Sequence, residues 1–418
     1  MVDELYKTTD LGRVPYNWKV KNIMDVVESI KIGPFGSQLK KEYLIKNGKY
    51  RVYGQENVYK KDFTFGERYL TKEHFQRLRS CELIREDFVI SSMGTIGKCH
   101  VITENIMTGI MDSHLIRLRL NTTLIDSKYL LYLFGNETGI IINQISKLSV
   151  GGIMDGLSTK IIKSLNVVLP PIAEQHEIAE VLSDVDKLIQ ALERLIEKKK
   201  AIKQGTMQEL LTGKKRIDGF SKKWDRGILG DLCDIYRGGS PRPIQKYLTN
   251  NSNGVNWIKI GDVSRNAKYI ESTDEKIIQE GIRYSRVVHS GDFLLSNSMS
   301  FGRPYILKLD GCIHDGWLVI QDYKKNFNTE YLYYMLMSPF VLDQYLSKAA
   351  GSSVLNLNKE LVSTVEVLIP ELKEQEAIAG KLATFDDEIN SLELKLEKYR
   401  QIKQGMMQEL LTGRIRLI

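Results

Sequence analysis

The sequence has little cysteine and no long apolar run. Its four cysteines, Cys81, Cys99, Cys233 and Cys312, are widely spaced and form no CxxC pair, which argues against a disulfide framework and a zinc site. No apolar run approaches the roughly 18 residues that a membrane span needs. The first residues, MVDELYKTTD, lack the apolar segment of a signal peptide. We therefore expect a cytoplasmic protein without a membrane partner.

Catalytic signatures are also missing. The sequence has no NPPY- or DPPY-like motif for amino-group methylation, no glycine-rich S-adenosylmethionine loop and no PD…ExK nuclease pattern. The six histidines form no HxH or HExxH pair for a metal. DFVISSMGTIGK resembles a phosphate-binding loop, but Ser92 stands where a Walker A glycine is required and Cys99 replaces the hydroxyl residue after the lysine. The sequence therefore offers no catalytic residue and no metal site.

The most informative feature that is present is an internal repeat. Residues 201–213 read AIKQGTMQELLTG and residues 401–413 read QIKQGMMQELLTG, and over 172–213 the copies agree at 22 of 42 positions. The rest matches more weakly but in the same order, as DFVISSMGTIGK with DFLLSNSMSFGR and NVVLPP with EVLIPE. We therefore divide the 418 residues into two globular segments and two well-preserved segments. The globular segments are 1–171 and 214–370, and the well-preserved segments are 172–213 and 371–418.

The well-preserved segments are predicted to be long helices. Each follows a proline, and apolar residues recur at alternating steps of four and three, the 3.5-residue period of a coiled coil. Val181, Leu188 and Leu195 form a second apolar row that is expected to widen the buried face of the first helix. Each helix could lie on its own domain, and a helix pair could be parallel or antiparallel; we favour the two helices packing on each other. The seam residues of the first copy are Ile178, Leu182, Val185, Ile189, Leu192 and Ile196.

The charge is divided between the two kinds of segment. The chain has 59 Lys and Arg against 52 Asp and Glu, a net charge of +7. Residues 1–171 carry +6 and residues 214–370 carry +4, whereas the helical segments carry −2 and −1. An anionic partner is therefore expected to bind the globular segments.

Each globular segment has a glycine-rich basic loop, KIGPFGSQLKKEYL (31–44) or YRGGSPRPIQKYL (236–248), that can place donors on DNA phosphates. A predicted strand follows each loop, YRVYGQENV (50–58) and VNWIKIGDV (255–263), with amide and acidic groups of the kind that read base edges. Any one of these residues could be a solvated loop side chain, but the recurrence of two similar loops favours binding. His114 and His314 lie in loosely equivalent stretches and are interpreted as structural or binding groups.

The predicted DNA-binding residues add the hydroxyl and basic groups that follow the strand in DFVISSMGTIGK and in its copy. In the first segment they are Lys31, Ser37, Gln38, Lys40, Lys41, Tyr53, Gln55, Asn57, Ser91, Thr95 and Lys98. In the second they are Arg237, Ser240, Arg242, Lys246, Lys259, Asp262, Ser296, Ser300 and Arg303.

This pattern resembles the specificity subunits of type I restriction-modification enzymes. The resemblance covers nearly the whole length. It rests on the repeat plan, on GPFGSQLKKEY, on DFVISSMGTIGK, on the P-P-x-x-E-Q-x-x-I-A start of the first helix and on the duplicated KQGxMQELLTG. The second copy departs slightly, with Pro370 and Glu371 in place of two prolines.

The resemblance implies an α+β fold. Two globular α/β target-recognition domains would be joined by two long helices packed as an antiparallel coiled coil, in a pseudo-two-fold tandem repeat. Each domain would read one half of a bipartite, asymmetric site in double-stranded DNA, while the helices set the gap and dock two methyltransferase subunits. Motor–nuclease subunits complete the full enzyme. The chain itself would be non-catalytic and hold no cofactor, because S-adenosylmethionine, ATP and Mg²⁺ belong to the partner subunits.

Partner-facing residues are expected to be exposed residues that both helical copies share, although the same residues could instead maintain the helix ends. In the first copy they are Glu174, Gln175, Lys203, Gln204, Gln208 and Glu209. In the second they are Glu374, Gln375, Lys403, Gln404, Gln408 and Glu409.

Two other functions stay open. An enzyme with an unrecognised site would cleave or methylate DNA as a purified chain. An assembly adaptor would show no preference among DNA sequences at matched salt.

Overall fold

The computed structural model describes residues 6–94, 97–135, 139–148, 156–264, 267–297, 301–349 and 357–417. The chain forms two compact units, unit 1 from Met1–Glu193 with Lys395–Ile418 and unit 2 from Arg194–Leu394. Each unit therefore combines one globular segment with part of each long helix. The predicted α+β class is confirmed.

Unit 1 is built from short strands and short helices, followed by the first long helix. Its strands are β1 Tyr6–Thr9, β2 Gly12–Pro15, β3 Lys19–Asn22, β4 Val27–Ile32, β5 Tyr50–Tyr53, β6 Tyr69–Leu70, β7 Glu82–Leu83, β8 Phe88–Ser91, β9 Cys99–Val101, β10 Gly109–Met111, β11 Leu115–Leu120 and β12 Asn166–Leu169. Its helices are α1 Gln55–Lys60, α2 Lys72–Arg77, α3 Ser127–Leu133, α4 Ile140–Leu148, α5 Thr159–Lys163 and the start of α6 Ile172–Leu211.

Two sheets organise unit 1. One has the strand order β4-β11-β8-β9 and is antiparallel throughout. The other has the order β6-β5-β10-β7 and contains the parallel pair β5–β10. The first sheet packs on a core that includes Trp18, Phe88 and Tyr129, and α6 contributes Ile178 and Leu182 to it. The first turns of the long helix therefore belong to the core of the unit.

Unit 2 repeats this plan. Its strands are β13 Asp225–Ile228, β14 Asp234–Arg237, β15 Leu248–Thr249, β16 Val255–Ile258, β17 Tyr269–Ile270, β18 Glu275–Ile277, β19 Arg286–Val288, β20 Phe293–Ser296, β21 Pro304–Leu307, β22 Gly311–Ile313, β23 Trp317–Gln321 and β24 Glu366–Ile369. Its helices are α7 Leu229–Leu232, α8 Thr329–Leu336, α9 Pro339–Ala349, α10 Lys359–Ser363 and the start of α11 Leu372–Leu410.

The two main sheets of unit 2 repeat the strand orders of unit 1, and each has one additional strand. The order β14-β23-β20-β21 repeats β4-β11-β8-β9, with β17 added at its edge, and the parallel pair β16–β22 repeats β5–β10. The helix starts correspond as well, since the side chain of Asp126 caps α3 and the side chain of Asn328 caps the equivalent α8. The weak sequence repeat of the globular segments is therefore a repeat of topology.

The predicted strands at 50–58 and 255–263 end early. β5 stops at Tyr53 and α1 begins at Gln55, because the Gly54 N–H donates to Asn57 Oδ1 at 2.9 Å and caps the helix start. In unit 2 the Asp262 carboxylate accepts the Lys259 N–H at 2.8 Å and closes a short 3₁₀ turn. The polar groups expected on a strand face therefore shape the turns that follow the strands.

The long helices run antiparallel within each unit. In unit 1 the Lys403 ammonium lies 2.7 Å from Asp186, and the Arg400 guanidinium lies 2.7 Å from Glu193. The corresponding pairs of unit 2 are Lys203–Asp386, Lys199–Glu388 and Lys200–Glu393. Residue numbers rise on one helix as they fall on the other, so the antiparallel prediction is confirmed. Within the described ranges, no helix has both the length and the apolar composition for crossing a membrane.

The second apolar row of α6 does not widen its buried face, so that expectation is wrong. Leu188 is 37 % exposed and Leu195 is 39 % exposed, whereas the seam residue Leu192 is 6 % exposed. Val181 is half-buried because it lies against the core of unit 1. Farther along, the described neighbours of α6 cover only the seam, and the second row stays in solvent.

Candidate nucleic-acid interface

The glycine-rich loop of unit 1 is pressed against the turn that follows β10. A Cβ on Gly33 would lie 1.7 Å from the carbonyl oxygen of Asp112, so only glycine fits there. The Gly33 N–H donates to Leu115 O at 3.0 Å. The Asp112 carboxylate accepts from Arg68 Nη1 and from the His114 N–H, both at 3.0 Å. Asp112 is therefore the anchor of this loop.

Two further segments contact the same turn. The first is the start of α1: the Asp112 N–H donates to Tyr53 O at 2.8 Å, and a Cβ on Gly54 would lie 2.7 Å from the Asp112 carboxylate. The second is the turn after β8: the Ser92 N–H donates to His114 O at 2.9 Å. The glycine loop, the start of α1 and the turn after β8 thus share one edge of unit 1.

A basic cleft lies beside the glycine loop. Its cavity has a volume of about 370 Å³, and we call it the Lys31 cleft. Lys31, Arg77 and Lys163 line it and are exposed, and none of the described lining residues is acidic. Gln38 and the exposed ring of Phe35 stand on the loop side. Three cations in a lining that includes no described acidic residue form a surface that favours an anion.

Unit 2 builds the same frame with other side chains. A Cβ on Gly238 would lie 2.0 Å from the carbonyl oxygen of His314, so this loop is also pressed against the turn after its parallel strand. The Ser240 hydroxyl donates to Asp315 Oδ1 at 2.7 Å, and Arg237 Nε donates to Asp315 O at 3.1 Å. Arg242 Nη2 lies 3.4 Å from Asp315 Oδ2 and is largely exposed. This edge therefore presents two arginines.

The charges of the Asp315 group are set by its neighbours. The hydrogen bond from Ser240 lowers the pKa of the Asp315 carboxyl below its usual value, so the group is ionised beside the exposed Arg242. Burial lowers the pKa of His314, which keeps its ring neutral. Gly316 N–H donates to His314 Nδ1 at 2.7 Å, and Ile260 N–H lies 3.1 Å from Nε2. His314 is thus a structural group of this turn.

Several predicted DNA-binding residues lie at or near these two edges and are exposed. Those of unit 1 are Lys31, Ser37, Gln38, Lys40, Lys41 and Lys98, and those of unit 2 are Arg237, Arg242 and Lys246. Others are half-buried with partners: Gln55 beside Tyr59, Ser240 on Asp315, Lys259 on Glu275, Asp262 in its own turn and Arg303 over Tyr305. Whether any of them contacts DNA stays a prediction.

Four predicted DNA-binding residues are buried inside their own unit. The Tyr53 hydroxyl donates to Met107 O at 2.5 Å, and Asn57 Nδ2 donates to Asp62 O and Phe65 O at 2.9 Å. Ser91 and Ser296 are the last residues of β8 and β20, the inner strands of their sheets. Thr95 and Ser300 lie outside the described residues.

Four predicted partner-facing residues are also buried, and their expected exposure is wrong. Gln175 Nε2 donates to Leu124 O and Pro170 O, and its Oε1 accepts the Asp126 N–H at 2.9 Å. Gln375 makes the equivalent bonds in unit 2. Glu174 and Glu374 receive hydrogen bonds from a tryptophan and an arginine in each unit. These groups attach the start of α6 to unit 1 and the start of α11 to unit 2.

The other predicted partner-facing residues form two groups. Lys203 and Lys403 are half-buried in ion pairs with Asp386 and Asp186. Glu409 is half-buried beside Arg414. The exposed members are Gln204, Gln208, Glu209, Gln404 and Gln408.

Sequence reasoning missed Asp112, Asp315, Arg77, Lys163 and Phe35. The repeated acid–histidine stretches DSHLI and IHDGW carried a signal for the two anchors, because they follow equivalent strands. Arg77 and Lys163 carried none, since the fold brings them to the cleft from distant parts of the chain.

Known proteins are similar to this chain over nearly its whole length. The family model of the type I restriction modification DNA specificity domain matches residues 15–204 and 221–403. A protein of Methanocaldococcus jannaschii, provisionally named as the MjaX specificity subunit of a type I restriction enzyme, is 25 % identical over 426 residues, covering 99 % of this chain and 97 % of that protein.

Solved structures share the fold. A chain from a study of complex assembly and conformational transition of a type I R-M system has a TM-score of 0.60 at 18 % identity, covering 96 % of this chain and 99 % of that one. The S subunit of a type I restriction-modification system from M. genitalium has a TM-score of 0.56 at 15 % identity, covering 94 % and 96 %. Because the family model matches both halves over most of their length, the chain belongs to the type I restriction-modification DNA specificity family.

Proposed function

We propose that the chain is the non-catalytic, DNA-reading subunit of a type I restriction-modification complex, in which each unit reads one half of a bipartite site in double-stranded DNA. The observation that carries the proposal is the pair of glycine-loop edges. Both units press a glycine of this loop against the turn after the parallel strand, and the loops present different side chains. A shared frame with different side chains suits two different half-sites, and therefore an asymmetric site.

The charges support a DNA ligand. The Lys31 cleft groups three exposed cations, which suits phosphates that position the protein on the duplex. Arg242 and Arg237 of unit 2 are exposed beside Asp315, and arginine is the side chain that pairs most often with guanine in the major groove. We infer that the cleft contributes affinity and that the loop side chains contribute specificity.

We further infer that the long helices dock two methyltransferase subunits and set the gap between the half-sites. The duplicated KQGxMQELLTG supports this, because two copies of one partner would meet the same surface twice. The exposed glutamines of that segment are the expected contacts. Motor–nuclease subunits would complete the enzyme in the cytoplasm, and the partners would supply S-adenosylmethionine, ATP and Mg²⁺.

Selection of bound duplexes from a random pool by the purified full chain tests the proposal. We expect two short sequence blocks separated by a constant gap. Replacing Lys31, Arg77 and Lys163 together by alanine should weaken binding to all sequences and lower the salt slope by about one for each phosphate that is no longer neutralised. Lys187→Ala is the matched control, since Lys187 is an exposed lysine on α6. Binding without sequence preference would favour the adaptor, and cleavage or methylation by the chain alone would favour an enzyme.

A further inference from the structure

The ring of Phe35 is exposed at the rim of the Lys31 cleft, with 58 % of its surface in solvent. Half of the other residues that line the cleft are cationic or polar, among them Lys31, Arg77 and Lys163. An aromatic ring that is exposed to water gains no stabilisation from burial. Exposed rings of this kind are typical of binding surfaces. Among the described residues, Phe35 belongs to neither hydrophobic core of unit 1.

The backbone that carries Phe35 is held from both sides. Gly33 is pressed on Asp112, and the Gln38 N–H donates to Phe35 O at 3.0 Å. Phe35 precedes the 3₁₀ turn Gly36–Gln38, and Gly36 adopts a φ of +49° that favours glycine. The loop therefore presents the ring on a backbone whose direction is set by the rest of unit 1.

The chemistry of the ring restricts what it can do on DNA. A phenyl group has no hydrogen-bonding atom, so it does not read the donors and acceptors of base edges. It can touch a thymine methyl group, or it can insert between base pairs as an apolar wedge. Insertion needs the neighbouring phosphates to be held, and Lys31, Arg77 and Lys163 are the cations that line the same cleft.

We propose that Phe35 inserts between two neighbouring base pairs of the half-site that unit 1 reads and unstacks them, while the Lys31 cleft holds the adjoining phosphates. This inference rests on the proposed function, because it takes DNA as the ligand. Unit 2 has Ser240 at the position of Phe35 when Gly33 is aligned with Gly238, and that hydroxyl is bonded to Asp315. The distortion made by this loop is therefore confined to one half-site.

Fluorescent bases in a duplex selected by the full chain test the insertion. Each position of the two half-sites is substituted in turn, with 2-aminopurine for adenine or pyrrolo-cytosine for cytosine, whose emission rises on unstacking. We expect an emission increase at one step of one half-site only. Phe35→Ser should abolish it and weaken binding about tenfold, the cost of removing one base–aromatic interaction. Phe35→Leu should keep part of both effects, since leucine also serves as a wedge.

Phe65→Ser is the matched control, because Phe65 is a second exposed phenylalanine of unit 1 that lies under Lys60 instead of the cleft. It should change neither emission nor affinity, and unchanged thermal unfolding of both variants excludes misfolding. An emission increase that survives Phe35→Ser would overturn the inference. A duplex that shows no emission increase, but binds more weakly when uracil replaces thymine, would also overturn the inference, because it would identify a contact with the thymine methyl group. Failure of the proposed function looks different, because the pool would then yield no common sequence.

Discussion

In each unit, a buried carboxylate joins the start of a long helix to the rest of that unit. The Glu174 side chain accepts from Trp18 Nε1 at 2.9 Å and from Arg416 Nη2 at 2.8 Å. In unit 2, Glu374 accepts from Trp224 Nε1 at 2.8 Å and from Arg216 at 2.6 and 2.7 Å. A carboxylate without solvent contact is strongly unfavourable unless such partners remain. This requirement explains why both copies keep the glutamate, the tryptophan and the arginine.

Removing the arginine should therefore destabilise the unit. We expect Arg416→Ala to lower the free energy of unfolding by about 3 kcal/mol, because it leaves a buried charge without its partner. Arg414→Ala is the control, since Arg414 pairs at the surface with Glu409 and should change stability by less than about 1 kcal/mol. Urea unfolding followed by circular dichroism measures both. Equal, small effects would contradict the role assigned to Glu174.

We expect His314 to make the stability of unit 2 depend on pH. A neutral imidazole has one lone pair for the N–H groups of Gly316 and Ile260, and a protonated ring has none. Burial lowers the pKa of His314 from 6.5, although Asp315 and Asp262 oppose the shift and Lys259 reinforces it. The unfolded chain therefore binds this proton more readily, and stability falls as the pH drops below about 6.5. Thermal unfolding at pH 7.5 and 5.5 should show a smaller difference for His314→Gln than for the wild type. His289→Gln, which changes an exposed side chain outside this turn, is the control.

The sequence repeat does not distinguish polar residues that attach a helix inside a unit from polar residues that are exposed to a partner. Glu174 and Gln175 recur 200 positions on because they hold a helix to its unit, and Gln204 and Gln208 recur on an exposed helix end. Burial distinguishes these groups, and burial depends on contacts between distant parts of the chain. The sequence therefore identified the repeated residues without identifying their neighbours.

Among the elements, the long helices are held by a tyrosine–aspartate–lysine group in each unit. The Tyr132 hydroxyl of α3 donates to Asp186 Oδ2 of α6 at 2.8 Å, and Lys403 of α11 lies 2.7 Å from the other oxygen. Tyr334, Asp386 and Lys203 repeat the group in unit 2. One carboxylate thus joins a short helix to both long helices and sets their register.

Asp186→Ala should loosen this attachment. We expect a loss of about 2 kcal/mol in the stability of unit 1, because two hydrogen bonds to a charged group disappear. Asp184→Ala, two residues away, removes only an exposed pair with Lys187 and should cost less than about 0.5 kcal/mol. Hydrogen exchange of the α6 amides reports the local effect. Equal protection in the two variants would rule out the register role.

The elements were predictable where the pattern was local. The seam residues of α6 are buried or half-buried as their spacing predicts, because a 3.5-residue period leaves one covered face. Leu188 and Leu195 were wrongly predicted to be buried, because the apolar character of a side chain does not show whether another part of the protein covers that side chain. Gln55 and Asn57 were placed on a strand because Gly54, which ends that strand, lies inside an apolar–polar alternation.

At the scale of the molecule, the helices are expected to control the gap between half-sites. Inserting one heptad at equivalent points of both α6 and α11 should lengthen the helix pair by about 10 Å, or about three base pairs. Selection from a random duplex pool should then return the same two sequence blocks with a longer gap. Insertion into α6 alone is the control, since it misaligns the ion pairs of Lys203 and Lys403 and should destabilise the chain. An unchanged gap would count against the spacer role.

The two-unit plan was largely predictable, because duplication leaves matching motifs at nearly constant offsets. Which chain segments make up each unit was not predictable. Residues 395–418 complete unit 1 although they follow unit 2 in the chain, and only the antiparallel ion pairs and the Arg416–Glu174 contact reveal it. Such contacts join residues far apart in sequence and leave no local pattern.

Methylome sequencing of a host that expresses this chain with its methyltransferase partner tests the central claim most directly. Residues 27–120, from β4 to β11, are exchanged for the matching segment of another family member, which leaves Trp18, Tyr132 and Glu174 in place. We predict that one half of the methylated motif changes while the other half and the gap stay constant, and that exchanging residues 234–321 changes the other half. A motif that stays unchanged, or that changes in both halves after one exchange, would contradict this claim.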